Sequence, residues 1–372
     1  MFSVDNFYLI LQQNLLKPLE IASWYFYPFG TWNLQLLNYY YNYDPKKLKV
    51  IFWDQEPFNI NLYADVLHKK EQDKPMQNKP NTVAISDICS DSKIVPYNWY
   101  YFYHGFAALD WYRDAQYVPL NNKFSKVFIT LNRLTRQERS YRLALVADLL
   151  NRNLAEHGLI SSLHQEWRQE IVDQKTKLTS SQINLITEVF SKYPSNLYID
   201  SQCTPGWSSA SLGQNEFVLF QSAFLHLVTE TVFYPNKLHL TEKIFRPIAV
   251  GRPFVLAGAQ GNLKYLKKYG FETFNKWWDE SYDNQANHHI RLHKIINIIE
   301  KLSTEDLQDM YYDMRFVLEH NHKHFYNDFK KIIFKEMIDN FITVVETFNS
   351  NNPKSAHNLS KINLNFVQHY LK

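Results

Sequence analysis

Glycine is scarce in this chain, with 9 among 372 residues, and neither G-x-x-x-x-G-K-[ST] nor G-x-G-x-x-G occurs. P-loop and dinucleotide enzymes need such turns to lay backbone N–H groups on phosphate, so both classes are disfavoured. The only cysteines, Cys89 and Cys203, exclude a disulfide scaffold; two free thiols in a reducing compartment is the simplest reading. No run of about 18 apolar residues is present, so no membrane-spanning helix is expected. The N-terminus lacks a basic n-region, and its apolar piece, Phe7 to Leu11, is too short to cross a bilayer. A soluble protein of the cytoplasm, bacterial or of a phage-infected host, is expected. The charge excess is small, +3, which by itself does not argue for a nucleic-acid surface.

Apolar and aromatic residues are plentiful. Hydrophobic residues make up 45% and charged residues 21% of the chain, enough to bury a large core; aromatics reach 16%. Short apolar runs bounded by turn residues read as buried parallel strands at 49–53, 82–86, 99–103 and 126–130, with a closing strand at 252–257 and a brief one at 197–199. Residues 137–150 and 240–250 read as helices, as do 290–299 and 325–348. The segment 217–228 fits either a helix or a buried strand. The expected organisation is α/β, with an N-terminal Rossmann-like domain over 1–120, a second over 121–345 and a polar tail over 346–372. The two domains would face a central cleft, and the C-terminus would be helix-rich.

Chemistry concentrates in three blocks. Thr241-Glu242-Lys243 sits at an expected helix start, where an anion is favoured by free N–H groups and where Thr241 can serve simply as N-cap. Upstream of it lie Glu230 and Thr231. The second block, Phe128 to Arg142, is a strand, a turn with Asn132, and a helix opening with Arg133, Arg136, Arg139 and Arg142. Arginine can hold a diphosphate through paired hydrogen bonds, while others of the four serve as solvated surface. In the third, Asp54 and Glu56 follow the strand 49–53. Their position beyond a strand's carboxyl end suits a cleft-facing general base, or a loop carboxylate capping the next helix.

In their order, these blocks resemble the α1,3-fucosyltransferase-like family of nucleotide-sugar glycosyltransferases, with viral and bacterial relatives. The resemblance covers about 100 residues spread over 50–270 and extends to Gly251-Arg-Pro-Phe-Val-Leu and Gly258. It implies the GT-B fold and an inverting, metal-independent transfer from a nucleoside-diphosphate sugar, with a GDP-sugar favoured. Glu242 would hold the donor ribose, Lys243 and Arg139 (rivals Arg133 and Arg136) the diphosphate, and Glu56 would be the base, with Asp54 second. The family's Asn is replaced here by Thr231, and the gap to Glu242 is slightly longer. No Asp-x-Asp sequence offers a metal–diphosphate bridge, so no metal or other cofactor is expected beyond the donor co-substrate. The acceptor would be a glycan, or, in a phage enzyme, a hydroxylated pyrimidine in DNA. A non-catalytic glycan- or nucleotide-binding module is the rival from another class. Val95 to Tyr100 and the aromatic pair Trp277 and Trp278 echo the family more weakly; the latter suit either sugar stacking or core packing. The histidines His289 and His293, and His320, His322 and His324, read as solvated helix faces rather than metal ligands.

Overall fold

The computed structural model describes residues 6–25, 46–53, 82–85, 97–115, 124–172, 177–199, 219–234 and 238–371. The candidate bases Asp54 and Glu56 lie outside the described residues, as do Val95 and Pro96. The chain is α/β; among the described residues the strands form two four-stranded parallel sheets. By contacts it divides into two compact units: 1–110 with 330–372, and 111–329. Among the described residues no helix is long and apolar enough to cross a membrane.

The first unit opens with the short helix α1 (Phe7–Leu11) and carries β1 (Ala22–Tyr25), β2 (Lys49–Trp53), β3 (Thr82–Ile85) and β4 (Asn98–Tyr100), the strands paired in sequential order. The run at 49–53 is a strand as expected, and so are residues 82–85 of the run expected at 82–86. The run at 99–103 is not one element: β4 stops at Tyr100, and α2 (Tyr103–Trp111) starts at once. The Phe102 carbonyl accepts from the Gly105 and Phe106 N–H groups and so opens the helix. Every residue from Trp99 to Ala108 is buried, so the aromatic run shows no period that could mark the change.

The long helix α10 (Lys330–Asn351) belongs with this unit rather than ending at 345 in the second. Its apolar face meets β4 and α2: Phe341 lies 4.7 Å from Trp99, and Phe334 lies 4.9 Å from Phe106. Trp99 Nε1 donates to the Met337 carbonyl at 3.0 Å, and Asn340 Nδ2 donates to the Tyr100 carbonyl at 2.8 Å. The latter bond occupies the outer edge of β4, which would otherwise invite further strand pairing. Residues expected as a polar tail complete α10, and the His357 ring meets the Leu19 carbonyl at 2.8 Å.

The second unit carries β5 (Lys126–Asn132), β6 (Gly158–Ser162), β7 (Ala223–Thr229) and β8 (Phe254–Ala257), in the order β6-β5-β7-β8. All seven residues of β7 are buried, as suits a central strand covered on both faces; of the ambiguous segment 217–228, residues 219–222 are helical and 223–228 belong to this strand. Leu197 makes only an isolated bridge to Ser162. The helices are α3 (Tyr141–Asn151), α4 (Trp167–Val172), α5 (Ser180–Lys192), α6 (Glu242–Val250), α7 (Asn262–Lys268), α8 (His288–Leu302) and α9 (Leu307–His324). Helix α5 opens with a capping box in which Thr179 and Gln182 bond each other's backbone N–H groups. Gly251, at φ 69°, closes α6 in the left-handed conformation that glycine adopts without strain.

The sheet is packed tightly at β5 and β6. A Cβ on Gly158 would collide with the Phe128 ring, directly opposite it in the register. Gly158→Ala is therefore expected to cost about 1–3 kcal/mol through overpacking, read from the urea midpoint at unchanged m. An unchanged midpoint would mean that the sheet relaxes there freely.

Candidate functional site

In an open parallel sheet the ligand crevice lies outside the carboxyl ends of the strands, where the strand order reverses. In the second unit that reversal falls between β5 and β7: the chain steps from β5 to β6 on one side, then returns to β7 on the other. Asn132 ends β5, and Glu230 and Thr231 follow β7. Thr241, Glu242 and Lys243 begin α6. The structure brings Glu230, Thr231, Thr241, Glu242 and Lys243 into one bonded cluster.

Glu230 is fully buried, and both carboxylate oxygens are engaged. Oε1 accepts from the Thr241 N–H at 3.1 Å, while Oε2 accepts from the Thr241 hydroxyl at 2.6 Å and from the Thr231 N–H at 3.3 Å. Thr241 in turn caps α6, accepting from the Lys243 N–H at 3.4 Å. The Lys243 ammonium donates to the Thr241 hydroxyl oxygen at 3.0 Å and to Glu242 Oε1 at 2.9 Å. Glu230, Thr231 and Thr241 thus face inward, whereas the side chains of Glu242 and Lys243 stay 15% and 31% exposed at the rim. Of the five, those two have solvent access for a ligand.

The other wall comes from the start of α3. Tyr141 donates to the Glu230 carbonyl at 2.6 Å. Arg142 reaches the carbonyls of Thr229, Glu230 and Leu134 at 2.8, 3.0 and 2.8 Å. Burial pushes the Tyr141 hydroxyl pKa up, against the lowering influence of Arg142, so it remains a neutral donor. The Tyr141 ring stacks 4.2 Å from Phe233, and the Arg291 guanidinium covers that ring at 4.6 Å. Burial pulls Arg291 down to about 10, still cationic at neutral pH. It donates to the carbonyls of Phe233 and Gln285, so the segment after β7 is held from both sides.

Among the arginines of the second block, Arg142 is a buried clamp on strand ends. Arg133 is exposed; Arg136 is also exposed and pairs with Glu166. Arg139 is half-buried in the 3-10 turn Gln137–Arg139, close enough to Tyr141 to act on its hydroxyl electrostatically. Asn132 and Ser162 face each other in the β5–β6 register and are fully buried. Asn132 Oδ1 and Ser162 Oγ have no partner among the described residues. Sequence reasoning placed Asn132 in the turn but gave no role to Ser162, whose strand it missed.

Of the α9 histidines expected on a solvated face, His320 is exposed, whereas His322 and His324 are half-buried, and all three bond backbone carbonyls. His320 bonds the Gly270 carbonyl, His322 that of Ala249 and His324 that of Tyr269, at 3.0, 3.0 and 2.6 Å. They terminate helices α6 and α7. Among the described residues no three His, Cys, Asp or Glu side chains gather as a metal set. Trp278 is buried against Phe274 at 5.2 Å, while Trp277 is partly exposed.

Comparison of the chain with protein-family models, with curated proteins and with solved structures gives no match.

The cluster makes a sharp demand on Glu230. In Glu230→Gln one oxygen becomes an NH2 group facing N–H or O–H donors. A loss of about 1–3 kcal/mol in unfolding free energy is expected. Equal stability of the variant and the parent in urea would show that the carboxylate is not the acceptor described.

Proposed function

We propose that the chain is a glycosyltransferase of the two-domain GT-B type, taking a sugar from a nucleoside diphosphate to an acceptor hydroxyl with inversion. The observation that carries the reading is the part-exposed Glu242–Lys243 pair at the amino end of α6, beside the carboxyl end of β7 and the strand-order reversal. Helix N-termini favour anions, and a lysine there adds a point charge for phosphate. The ordered resemblance of the Arg133–Arg139 and Thr241–Lys243 blocks to the fucosyltransferase-like family supports the same donor, with a GDP-sugar favoured.

In this reading Lys243 and Arg139 offset the charge that grows on the departing diphosphate, and Glu242 accepts hydrogen bonds from the ribose hydroxyls. Arg133 is the second candidate for the diphosphate. Glu230, Thr231 and Thr241 are positioning residues that fix where α6 begins. The acceptor hydroxyl attacks the anomeric carbon from the face opposite the nucleotide. Glu56 removes its proton, with Asp54 as the alternative, and the glycosidic electron pair leaves with the diphosphate. The proposed acceptor is a glycan. No metal ligand set enters this scheme.

A thermal-shift screen against GDP, UDP, CDP and ADP tests the donor site. A nucleotide at about 100 times its Kd should raise stability by about 2.7 kcal/mol. The shift should vanish in Lys243→Ala, while Glu56→Gln should keep it and lose about 100-fold or more in transfer. Absence of any shift, with or without magnesium, would end the donor-site reading. A shift without transfer to any acceptor, DNA with hydroxymethylated pyrimidine included, would make the chain a binding module.

A further inference from the structure

The outer face of the second unit carries two adjoining depressions, of about 400 and 220 Å³, that share Lys267 and Asn275. They lie beside α7 and the segment 271–284. That segment wraps the edge of the sheet at β8, where Tyr282 accepts the Leu256 N–H at 3.2 Å. The strand-order reversal lies on the other side of β7, so these depressions do not belong to the site described above.

The walls are rigidly built. Asp283 accepts from the N–H groups of Leu263 and Lys264 at 2.9 and 3.2 Å. Glu280 accepts from the Thr273 hydroxyl and the Phe274 N–H at 2.6 and 2.7 Å. Both carboxylates thus hold the loop rather than face a ligand. The larger depression presents Lys264, Lys267, Asn275, Asp279 and Asn284; Asp279 accepts there from the Ser281 N–H and hydroxyl at 2.8 and 2.6 Å and keeps further lone pairs toward solvent, and Lys267 lies 3.5 Å from Glu280. The smaller ends on Lys276, Trp277 and Val317. Beyond it on α9, Phe316 and Tyr312 are 51% and 66% exposed, with Phe316 6.2 Å from Trp277.

We infer that this groove binds an oligosaccharide chain, with Trp277 and Phe316 as stacking platforms and the Lys, Asn and Asp side chains as partners for hydroxyls. Pockets for drug-sized cofactors are mostly apolar. This lining is instead about half polar, with lysine, asparagine and aspartate side chains along it and aromatic rings at one end, the amphipathic mix that a sugar ring presents. A sugar hydroxyl both donates to Asp279 and accepts from lysine, so it satisfies walls of mixed charge. A single-stranded nucleic acid also stacks on aromatics, but it needs a basic track. Here Lys276 covers the Phe316 ring at 5.2 Å and Arg315 the Tyr312 ring at 3.9 Å, and these cations, with Lys264 and Lys267, stand among Asp279, Asp309 and Asp313 rather than forming a continuous basic track. Because the walls are fixed before binding, little ordering cost opposes a weakly held, flexible chain. The inference does not depend on the chain being a transferase.

The test is an array of defined bacterial and mammalian oligosaccharides probed with the full chain, the best binder then being titrated by calorimetry. Asn275→Ala, at an exposed position, and Trp277→Ala should each weaken it roughly tenfold or more, with Trp277→Phe recovering part. Nucleotide shifts should stay as in the parent for all three variants, which separates this groove from the donor site. The inference is overturned if no oligosaccharide binds. It also fails if binding survives Asn275→Ala and Trp277→Ala, or if single-stranded oligothymidylate binds more tightly than any glycan.

Discussion

A single buried carboxylate organises the carboxyl end of the second sheet. Glu230 has no contact with water, so its charge must be met from within. The Thr241 N–H, the Thr241 hydroxyl and the Thr231 N–H do so. The main chain of the same residue is held independently: its carbonyl accepts from Tyr141 and Arg142, and its N–H donates to the Ala257 carbonyl at 2.9 Å. One residue therefore ties β7, β8, α3 and α6 together. Charged hydrogen bonds of this kind are stronger than neutral ones, and a buried charge robbed of its donors is costly. The part-exposed pair Glu242 and Lys243 is presented where it is because the residue before it is fastened to this carboxylate.

The sheet architecture was largely legible, because β2, β3, β5 and β8 are apolar runs bounded by turn residues. β6 was not. Its Gly-Leu-Ile-Ser-Ser sequence has a weak strand signature, and it pairs with β5 where Gly158 leaves room for the Phe128 ring. β7 was ambiguous for the opposite reason: a strand buried at every position loses the alternation that would mark it. The helix start at Thr241 could be read from capping chemistry. The inward direction of Glu230 could not, since spacing shows which residues are near a helix and not which are dry. Arg142 carried a usable signal, an arginine set among Tyr141, Leu143, Ala144 and Leu145 where the helix is otherwise apolar. A charge in such a run has to find carbonyls or acids, and it finds three carbonyls.

The two sheets are alike in composition and differ in order. In the first, the described strands run β1-β2-β3-β4 without a reversal; in the second, β5 lies between its successors. Among the described strands the reversal that opens a crevice lies in the second sheet. Their outer edges are closed in similar fashion. Asn340 occupies the Tyr100 carbonyl on one, and Tyr282 takes the Leu256 N–H on the other. Such side-chain bonds end a ladder without another strand, which discourages edge-to-edge association.

The first unit is assembled from both ends of the chain, with residues 111–329 inserted between its parts. Trp99 must wait for Met337, 238 positions downstream, to bond its indole. During synthesis the inserted unit emerges whole before α10 is made, so it can fold while the aromatic face of β4 and α2 is still uncovered. Closing so long a loop is slow, although its entropic cost rises only logarithmically with length. A prefolded insert, by bringing its own two ends to fixed positions, shortens the effective loop that the first unit has to close. The nascent chain is thus most vulnerable to aggregation in the interval between the appearance of Trp99 and that of Phe341.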